Sequence, residues 1–234
     1  MLVNTEPFEY VGGELGVFYH ARRWKTYWGA QVSNWISGDV LEVGAGRGAN
    51  TVFLQTPEVR SWTCLEPDAR LASSLKEATA GLDRVIVLRG TTGALAVCQF
   101  DVILYIDVLE HIQDDRAEME RAAALLRPGG RIIVLAPAHQ RLYSPFDAAI
   151  GHYRRYSRNS LSARTPEGCR IEIMRYLDCV GIITSLANRA FLRQRQPTLR
   201  QILFWDSILV PLSRVLDPVF GFRLGKSVLS VWRR

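Results

Sequence analysis

The stretch from Val40 to Asn50, with the sequence VLEVGAGRGAN, constrains the fold more than any other part of the chain. An apolar segment leads into three glycines at alternate positions, and the residues after them can open a helix. Gly44 and Gly46 permit a sharp backbone turn and leave room for a ligand to approach the main chain. The helix that follows would direct its free N–H groups and the positive end of its dipole toward that ligand. The pattern therefore predicts a strand–turn–helix unit that can bind a ligand.

The glycine turn leaves several interpretations open. A strand–helix connection without any ligand can have the same glycines, and the stretch also fits a dinucleotide-binding turn with Ala49 as the third small residue. Glu42 lies inside the apolar strand, where a carboxylate needs a partner, and a cationic group of a ligand would be one. Glu66 ends the next apolar segment, where an acidic side chain can accept hydrogen bonds from both hydroxyls of a ribose.

Strands alternate with helices as far as residue 136, which is the pattern of a parallel sheet with helices on both faces. Ligands of such sheets bind at the carboxyl ends of the strands. After Pro137 the alternation stops, and a polar, aromatic excursion is followed by two apolar helical stretches. The predicted strands are residues 39–43, 61–65, 85–88, 100–106, 131–136, 170–176 and 226–232. The predicted helices are residues 14–36, 47–55, 69–80, 179–193 and 201–216, with one more that Asp114 caps.

The composition argues against several classes of protein. No apolar run is long enough to span a bilayer, and the N-terminus lacks the basic and apolar regions of a signal peptide. The four cysteines, Cys64, Cys98, Cys169 and Cys179, are too widely spaced to indicate a zinc site or a disulfide framework. We therefore expect a cytoplasmic protein without a bound metal.

The positive charge is concentrated in the C-terminal part of the chain. Residues 139–234 carry 16 basic and 6 acidic side chains, whereas residues 1–138 carry 13 basic and 17 acidic ones. This asymmetry fits a solvated surface, or attraction to an anionic acceptor, a membrane surface or nucleic acid. A broad apolar stripe in the same part fits either core packing or peripheral contact with a membrane. The stripe consists of Ile202, Trp205, Leu209, Leu212, Leu216 and Val219.

Four segments, taken together, resemble a known family. The pieces VLEVGAGRGANT, CLEPD, FDVILYIDVLEHIQDD and LLRPGGRIIVLAPAH are similar in content, order and spacing to the successive motifs of class I S-adenosylmethionine-dependent methyltransferases. The resemblance covers residues 38–139. It implies an α/β, Rossmann-like fold with a seven-stranded, mostly parallel sheet and helices on both faces. The excursion after the fifth strand then becomes an inserted helical cap.

This resemblance implies one domain over residues 1–234. Residues 1–37 would form an N-terminal helical cap, and residues 38–139 would form the core that binds S-adenosylmethionine. Residues 140–222 would be an insertion with helices on the acceptor side, and residues 223–234 would supply the final strand.

The resemblance also implies which residues would bind the cofactor. Glu42 would lie near the ammonium group of its methionine part, and Glu66 would hold its ribose. Many relatives have an acidic residue after the third strand that contacts adenine, but this chain has Gly90-Thr91-Thr92 there, so Thr91 or backbone groups would contact it. The remaining implied contacts, to the methionine part and the sulfonium, are Gly44, Gly46, Gly48, Asp107, Leu109 and His111.

The excursion after the fifth strand holds the candidates for the acceptor side. The segment DAAIGHYRRYS resembles one found in a bacterial subgroup associated with glycan, lipid-linked or secondary-metabolite pathways. His152 is the candidate general base, with Tyr156 beside it, unless His152 and Asp147 only pin the excursion by hydrogen bonds. Arg154 and Arg155 could clamp an anionic acceptor or pair with acidic residues of the chain. Tyr143 is a further candidate for acceptor binding.

These observations lead to an expected function. We expect methyl transfer from S-adenosylmethionine to a small-molecule, sugar-linked or lipid-linked acceptor, at oxygen rather than nitrogen. A non-catalytic subunit that binds S-adenosylmethionine is one alternative, and an NAD-dependent oxidoreductase is another, although the chain has no Tyr-x-x-x-Lys. Nucleic acid is disfavoured as the acceptor, because the Asn/Asp-Pro-Pro-Tyr signature is missing after the fourth strand. The oligomeric state is left open.

Overall fold

A computed structural model of the chain describes residues 9–95, 99–187 and 196–234. Its centre is a seven-stranded sheet in the order β3-β2-β1-β4-β5-β7-β6. Strand β7 runs antiparallel to both of its neighbours, whereas the pairs among β1 to β5 are parallel. The strands are β1 Gly38–Val43, β2 Val59–Glu66, β3 Val85–Arg89, β4 Phe100–Ile106, β5 Leu126–Pro137, β6 Arg170–Leu177 and β7 Ser227–Arg233.

Helices connect the strands and cover the sheet. The helix before β1 is interrupted, and a π-helical turn at Trp205–Leu209 joins the last two helices. The helices are α1 Leu15–Phe18, α2 Arg22–Ala30, α3 Ala49–Phe53, α4 Ala69–Thr79, α5 Asp115–Ala124, α6 Pro145–Ala149, α7 Arg158–Ser162, α8 Gly181–Ala187, α9 Leu199–Phe204 and α10 Val210–Val219. This architecture confirms the expected Rossmann-like fold class.

Two predicted helices differ from the observed ones. The predicted helix over residues 14–36 is broken between α1 and α2 and ends in a short 3₁₀ turn at Ser33–Trp35. Of the helix predicted over residues 179–193, residues 181–187 are helical, and residues 188–193 lie outside the described part of the chain.

The fifth strand begins earlier than predicted. It includes Pro128 and the two glycines after it, because Leu126 already pairs with Phe100 before a register shift restores regular pairing. The two predicted helix caps, in contrast, are present. The Asp68 carboxylate accepts from the backbone N–H groups of Arg70 and Leu71, and Asp114 caps α5.

The sheet places the predicted binding turn at its topological switch point. Strand β1 lies between β2 and β4, so the loops after β1 and β4 leave the sheet side by side. Ligands of open α/β sheets bind where the strand order reverses in this way. The two loops approach so closely that a Cβ atom on Gly44 would lie 2.8 Å from the side chain of Val108. Glycine is therefore required there for packing between the loops as well as for its positive φ.

Candidate functional site

A cavity of about 440 Å³ opens at the carboxyl ends of β1, β4 and β5. The glycine turn and the loop after β4 form its floor. The N-terminal helices close one side, and α6, α8 and α9 contribute to the other. Aromatic and aliphatic side chains form much of its wall: Phe18, Trp24, Trp28, Phe146, Ile202 and Trp205.

The glycine turn contributes Gly44, Ala45, Gly46 and Arg47 to the cavity wall. Gly44 and Gly46 both have positive φ angles, at 64° and 57°. The backbone N–H of Gly46 donates to Glu66 Oε2 at 2.8 Å, which holds the turn against the end of β2. The turn is thus a fixed part of the wall, and at its two glycines the backbone faces the cavity without a side chain.

The two buried glutamates predicted near the turn lie behind the cavity wall. Glu66 accepts from the backbone of Gly46 and Asp68, and burial raises the pKa of its carboxyl. Glu42 Oε2 accepts from Thr51 and Trp62, whereas Oε1 has no hydrogen-bond partner among the described residues. Burial raises the pKa of Glu42 to about 7. In this structure neither side chain is part of the cavity surface.

Three other predicted cofactor residues also lie away from the cavity. A Cβ on Gly48 would lie 2.8 Å from Leu75, so this glycine is needed for packing against α4. Leu109 is fully buried in the core beneath the loop after β4. Thr91 is exposed and does not line the cavity.

A polar cluster forms one end of the cavity. Asp107, Glu110, His111 and His152 all line it, and the rings of His111 and His152 pack edge to face with centroids 4.5 Å apart. Desolvation by the surrounding cavity residues raises the pKa of Asp107 to about 6, although this side chain is exposed to the cavity, and burial raises the pKa of Glu110 well above its usual range. Burial lowers the pKa of His111 to about 3, so this ring is neutral at physiological pH.

Backbone contacts bring His152 next to this acidic turn. The N–H of Tyr153 donates to the backbone carbonyl of Glu110 at 2.9 Å, which fastens the excursion to the 3₁₀ turn Leu109–His111. The hydroxyl of Tyr143 donates to the carbonyl of His152 at 2.7 Å. Tyr143 therefore positions the His152 loop, and it does not line the cavity.

An ionised aspartate orients the His152 ring. His152 Nδ1 lies 3.0 Å from Asp147 Oδ1. Hydrogen bonds from His152 and Arg155 hold the pKa of Asp147 well below its usual range, although burial acts in the opposite direction. Because an ionised carboxylate only accepts, a neutral imidazole here carries its proton on Nδ1 and has a free lone pair on Nε2. Nε2 is 3.7 Å from Glu110 Oε1.

The structure corrects the expected roles of three residues. The hydroxyl of Tyr156 is buried and donates to Asp115 at 2.8 Å, so it does not reach the cavity. Arg154 donates to Asp115 and to the carbonyl of Gln113, outside the cavity. Arg155 lines the cavity, but both oxygens of Asp147 already accept from its guanidinium. The two arginines of the expected clamp are therefore paired within the protein, with Asp115 of α5 and Asp147 of the excursion.

Several wall residues were not predicted from the sequence. Tyr10 donates to Glu14 Oε1, and Glu14 Oε2 is buried without a hydrogen-bond partner among the described residues. Lys25 lines the cavity, and its ammonium donates to the carbonyls of Phe18 and Tyr19. These residues belong to an N-terminal segment whose helical spacing indicates only an apolar face, so no sequence signal connects them to a distant cavity.

The fold matches solved structures at low sequence identity. The mitomycin 7-O-methyltransferase MmcR has a TM-score of 0.56 at 18% identity, with 90% of this chain and 53% of that enzyme covered. The N-methyltransferase NodS from Bradyrhizobium japonicum, solved with S-adenosylhomocysteine, has a TM-score of 0.59 at 15% identity over 92% and 87% of the two chains. The [4+2]-cyclase SpnF also has a TM-score of 0.59, at 14% identity over 88% and 79%. These likenesses define a methyltransferase-type fold, and the cyclase shows that the fold alone does not fix the reaction.

The sequence gives the class of protein more directly. Residues 41–132 match the family model described as a methyltransferase domain. No curated protein is matched. The matched range begins in β1 and contains the glycine turn, Glu66 and the polar turn after β4. Over these residues the chain is similar to a methyltransferase domain, which supports the resemblance to class I S-adenosylmethionine-dependent methyltransferases.

The cavity residues fit S-adenosylmethionine, which carries positive charge on its sulfonium and ammonium groups. The wall offers the backbone of Gly44 and Gly46 on one side, and the carboxyl groups of Asp107 and Glu14 on another. The oxygen Glu14 Oε2, buried and without a partner among the described residues, is suited to a cationic group. Within the described part of the chain, no helix has both the length and the hydropathy needed to cross a membrane.

Proposed function

We propose that this protein transfers a methyl group from S-adenosylmethionine to a hydroxyl oxygen of a small-molecule, sugar-linked or lipid-linked acceptor in the cytoplasm. One observation carries the proposal. A single cavity extends from the glycine turn to the Asp147–His152 pair, so a bound methyl donor and a proton acceptor would share one space. Methyl transfer from a sulfonium needs mainly alignment of donor and acceptor and exclusion of water, and a shared cavity supplies the alignment.

The cofactor would lie along the floor of the cavity. In this proposal its methionine part contacts Gly44 and Gly46, and Asp107 faces the sulfonium. The ribose lies beside Glu66, whose side chain exchanges part of its backbone hydrogen bonding for the ribose hydroxyls. Glu42 acts from behind the turn through its charge, and Thr91 or backbone groups near it contact adenine. The geometry supports the first three contacts most directly, because Gly44, Gly46 and Asp107 line the cavity.

The acceptor would lie at the polar end. The methyl carbon leaves the sulfur as a new carbon–oxygen bond forms, and the hydroxyl proton passes to His152 Nε2. The products are S-adenosylhomocysteine and a methyl ether or ester. An oxygen acceptor is favoured because a neutral hydroxyl must lose its proton, and Asp147 keeps Nε2 free to accept one.

The surroundings of the cavity favour an acceptor with an apolar part. Phe204, Ile202 and Trp205 line the cavity from α9 and the π-helical turn, and Phe204 is also exposed to solvent. From there a row of exposed apolar side chains continues along the outside of α9 and α10. We call this row the apolar ridge, and it consists of Leu199, Leu203, Phe204, Ile208, Leu212, Val215 and Val219.

The apolar ridge shares Leu212 and Val219 with the predicted stripe, and its other members were not predicted. Ile202 and Trp205 are buried, whereas Leu212 and Val219 are 49% and 74% exposed. The exposed arginines Arg200 and Arg214 lie among the ridge residues in sequence. An exposed apolar helix face with basic neighbours is suited to an anionic membrane surface. We therefore propose that the ridge rests on such a surface and that a lipid-linked acceptor enters the cavity beside Phe204.

Calorimetry with S-adenosylhomocysteine and NAD, followed by turnover assays, tests the proposed function. We expect binding of S-adenosylhomocysteine, no comparable binding of NAD, and release of S-adenosylhomocysteine when S-adenosylmethionine is incubated with amphiphilic hydroxyl compounds. Matched amine compounds serve as the control for the acceptor atom. Methylation of the amines alone would contradict oxygen as the acceptor. Tight binding without turnover on either panel would favour a non-catalytic subunit.

A further inference from the structure

Three potential metal ligands meet at the polar end of the cavity. They are Glu110, His111 and His152, and one ligand atom from each lies within 4.8 Å of the other two. His152 Nε2 lies 3.7 Å from Glu110 Oε1. We propose that this cluster, which we call the Glu–His–His cluster, binds a divalent transition-metal ion. Binding of the ion itself is independent of the proposed function, and only its role toward the acceptor rests on that function.

Glu110 supplies the main reason. Its side chain is fully buried, and neither carboxylate oxygen has a hydrogen-bond partner among the described residues. Glu42 and Glu14 each have only one such oxygen, and the buried carboxylate of Glu118 accepts from Thr92, Tyr105 and Arg121. A buried carboxylate that lacks such donors needs a cation or a proton. A metal ion between Glu110 and the two histidine rings would meet that need.

The two histidines are held in orientations that suit metal binding. Asp147 fixes Nδ1 of His152 and thereby presents Nε2 toward Glu110, which is the carboxylate–histidine–metal arrangement of many metal sites. Asp147 is held in turn by Arg155 and by Ser144, through its hydroxyl and backbone N–H. The ring of His111 has a hydrogen bond with the backbone of Gly151. The protein therefore orients both rings without the ion.

The donor set indicates which ions fit. Two imidazole nitrogens and one carboxylate suit Mn²⁺, Fe²⁺, Co²⁺ or Zn²⁺, whereas Mg²⁺ and Ca²⁺ prefer oxygen donors alone. Ligand bonds of about 2.0–2.2 Å require the three side chains to draw together slightly around the ion. All three residues line the cavity, so a further coordination position would face the acceptor.

A bound ion would change how the acceptor loses its proton in the proposed reaction. Metal coordination lowers the pKa of a bound hydroxyl, so the ion would favour loss of the acceptor proton directly. His152 would then serve as a ligand, because its Nε2 lone pair cannot bind both the ion and a proton. The base role of His152 thus describes the metal-free protein, and the ligand role describes the metal-loaded one. With the ion bound, the acceptor atom would be a hydroxyl, phenol or enol oxygen that can coordinate the metal.

Metal binding to the full chain can be measured without any acceptor. The chelator-treated protein is titrated with Zn²⁺ by calorimetry and with Co²⁺ by visible absorption, which reports nitrogen and oxygen ligation. We expect one ion per chain, and at least a tenfold loss of affinity in both Glu110→Gln and His152→Asn. The matched control is His139→Asn, because His139 stacks on Tyr176 outside the cluster, and this variant should bind as the parent does.

The outcomes separate this inference from the proposed function. The inference is overturned by the absence of stoichiometric binding in the folded parent, or by binding that survives both cluster variants. If Glu110→Gln melts early, His111→Asn replaces it in the comparison. S-adenosylhomocysteine affinity, measured on the same samples, reports the methyltransferase function independently. Absence of metal binding in the parent protein, with intact cofactor binding and turnover, would reject the metal site and leave the proposed function standing.

Discussion

The backbone N–H of Gly46 donates to Glu66 Oε2 at 2.8 Å, and this bond joins the glycine turn after β1 to the end of β2. The other oxygen of Glu66 accepts from the N–H of Asp68, the residue that caps α4. One carboxylate thus connects the turn, the strand end and the helix start. Its observed role in holding this corner is coupled to its proposed role in binding the ribose, because both use the same two oxygens.

Replacing Glu66 with Ala should therefore affect both binding and stability. It removes the proposed ribose contact and leaves the N–H groups of Gly46 and Asp68 without their acceptor. We expect S-adenosylhomocysteine binding to weaken by about 1–3 kcal/mol, with a loss of a similar order in the free energy of unfolding. Calorimetry and urea unfolding measure the two effects. Wild-type affinity in a folded Glu66→Ala protein would place the ribose elsewhere.

Gly46→Val should abolish cofactor binding. Gly46 lines the cavity with a φ of 57°, a conformation that a β-branched residue strongly disfavours, and the added methyl groups would occupy cavity space. Titration with S-adenosylhomocysteine should show no measurable heat. Gly81→Val is the matched control, because a Cβ on Gly81 would contact nothing within 4 Å. A Gly46→Val protein that binds normally would show that the cofactor does not contact the turn.

The affinity for S-adenosylmethionine should increase with pH through Asp107. Desolvation by the surrounding cavity residues raises the pKa of this carboxyl to about 6, while His152 and Lys226 act in the opposite direction. Asp107 therefore gains its negative charge as the pH rises through 6, and only then attracts the sulfonium. Between pH 5 and pH 7 the affinity should rise by up to about tenfold. The increase should be smaller for uncharged-sulfur S-adenosylhomocysteine and absent in Asp107→Asn. An equal increase in that variant would assign the effect to another group.

The apolar ridge should bind anionic vesicles. Leu212 and Val215 are exposed on the outer side of α10, so replacing both with Glu leaves the core intact and adds charge that an anionic surface repels. Co-sedimentation with vesicles that contain phosphatidylglycerol should fall markedly in the double variant. Ile86→Glu, an equally exposed apolar position on β3, controls for general loss of hydrophobicity. If the parent, the double variant and Ile86→Glu bind the vesicles equally, the ridge is not the membrane-binding surface.

The sequence predicted the sheet and the turn well because their signals are local. Apolar runs such as Phe100–Ile106 and the glycines at 44, 46 and 48 depend only on neighbouring residues. Gly48 was expected to contact the cofactor, whereas in the structure the missing side chain makes room for Leu75. The partners of Tyr156 and Arg154 were not predictable, because Asp115, which binds both, lies about 40 positions earlier in the chain. Side-chain pairing over such separations is fixed by the folded topology and leaves no periodic pattern.

The grouping of Glu110 with His152 was missed for the same reason. Glu110 lies within a family-like motif, and His152 lies in the excursion, so the sequence indicated a cofactor role for one region and an acceptor role for the other. The backbone bond from Tyr153 to the carbonyl of Glu110 joins the two regions. Only the folded chain shows that residues of the two regions form one cluster.

Replacing His152 with Ala tests the acceptor side directly. Its ring lines the cavity, and Asp147 holds it so that Nε2 faces Glu110. Without the ring, the acceptor hydroxyl loses its proposed proton acceptor, or its metal ligand in the loaded protein. We expect turnover to fall on the order of 10²-fold or more. The affinity for S-adenosylhomocysteine should stay nearly unchanged, because the proposed cofactor contacts lie before residue 112.

The control for this variant is His139→Ala, which removes a histidine ring near the same strand end but outside the cluster. Thermal unfolding of both variants separates a catalytic effect from a structural one. Tyr143 and Tyr153 hold the excursion through backbone-directed bonds that His152→Ala leaves in place, so the variant should remain folded. Early melting, or loss of cofactor binding, would show that His152 supports the structure or the cofactor instead of the acceptor.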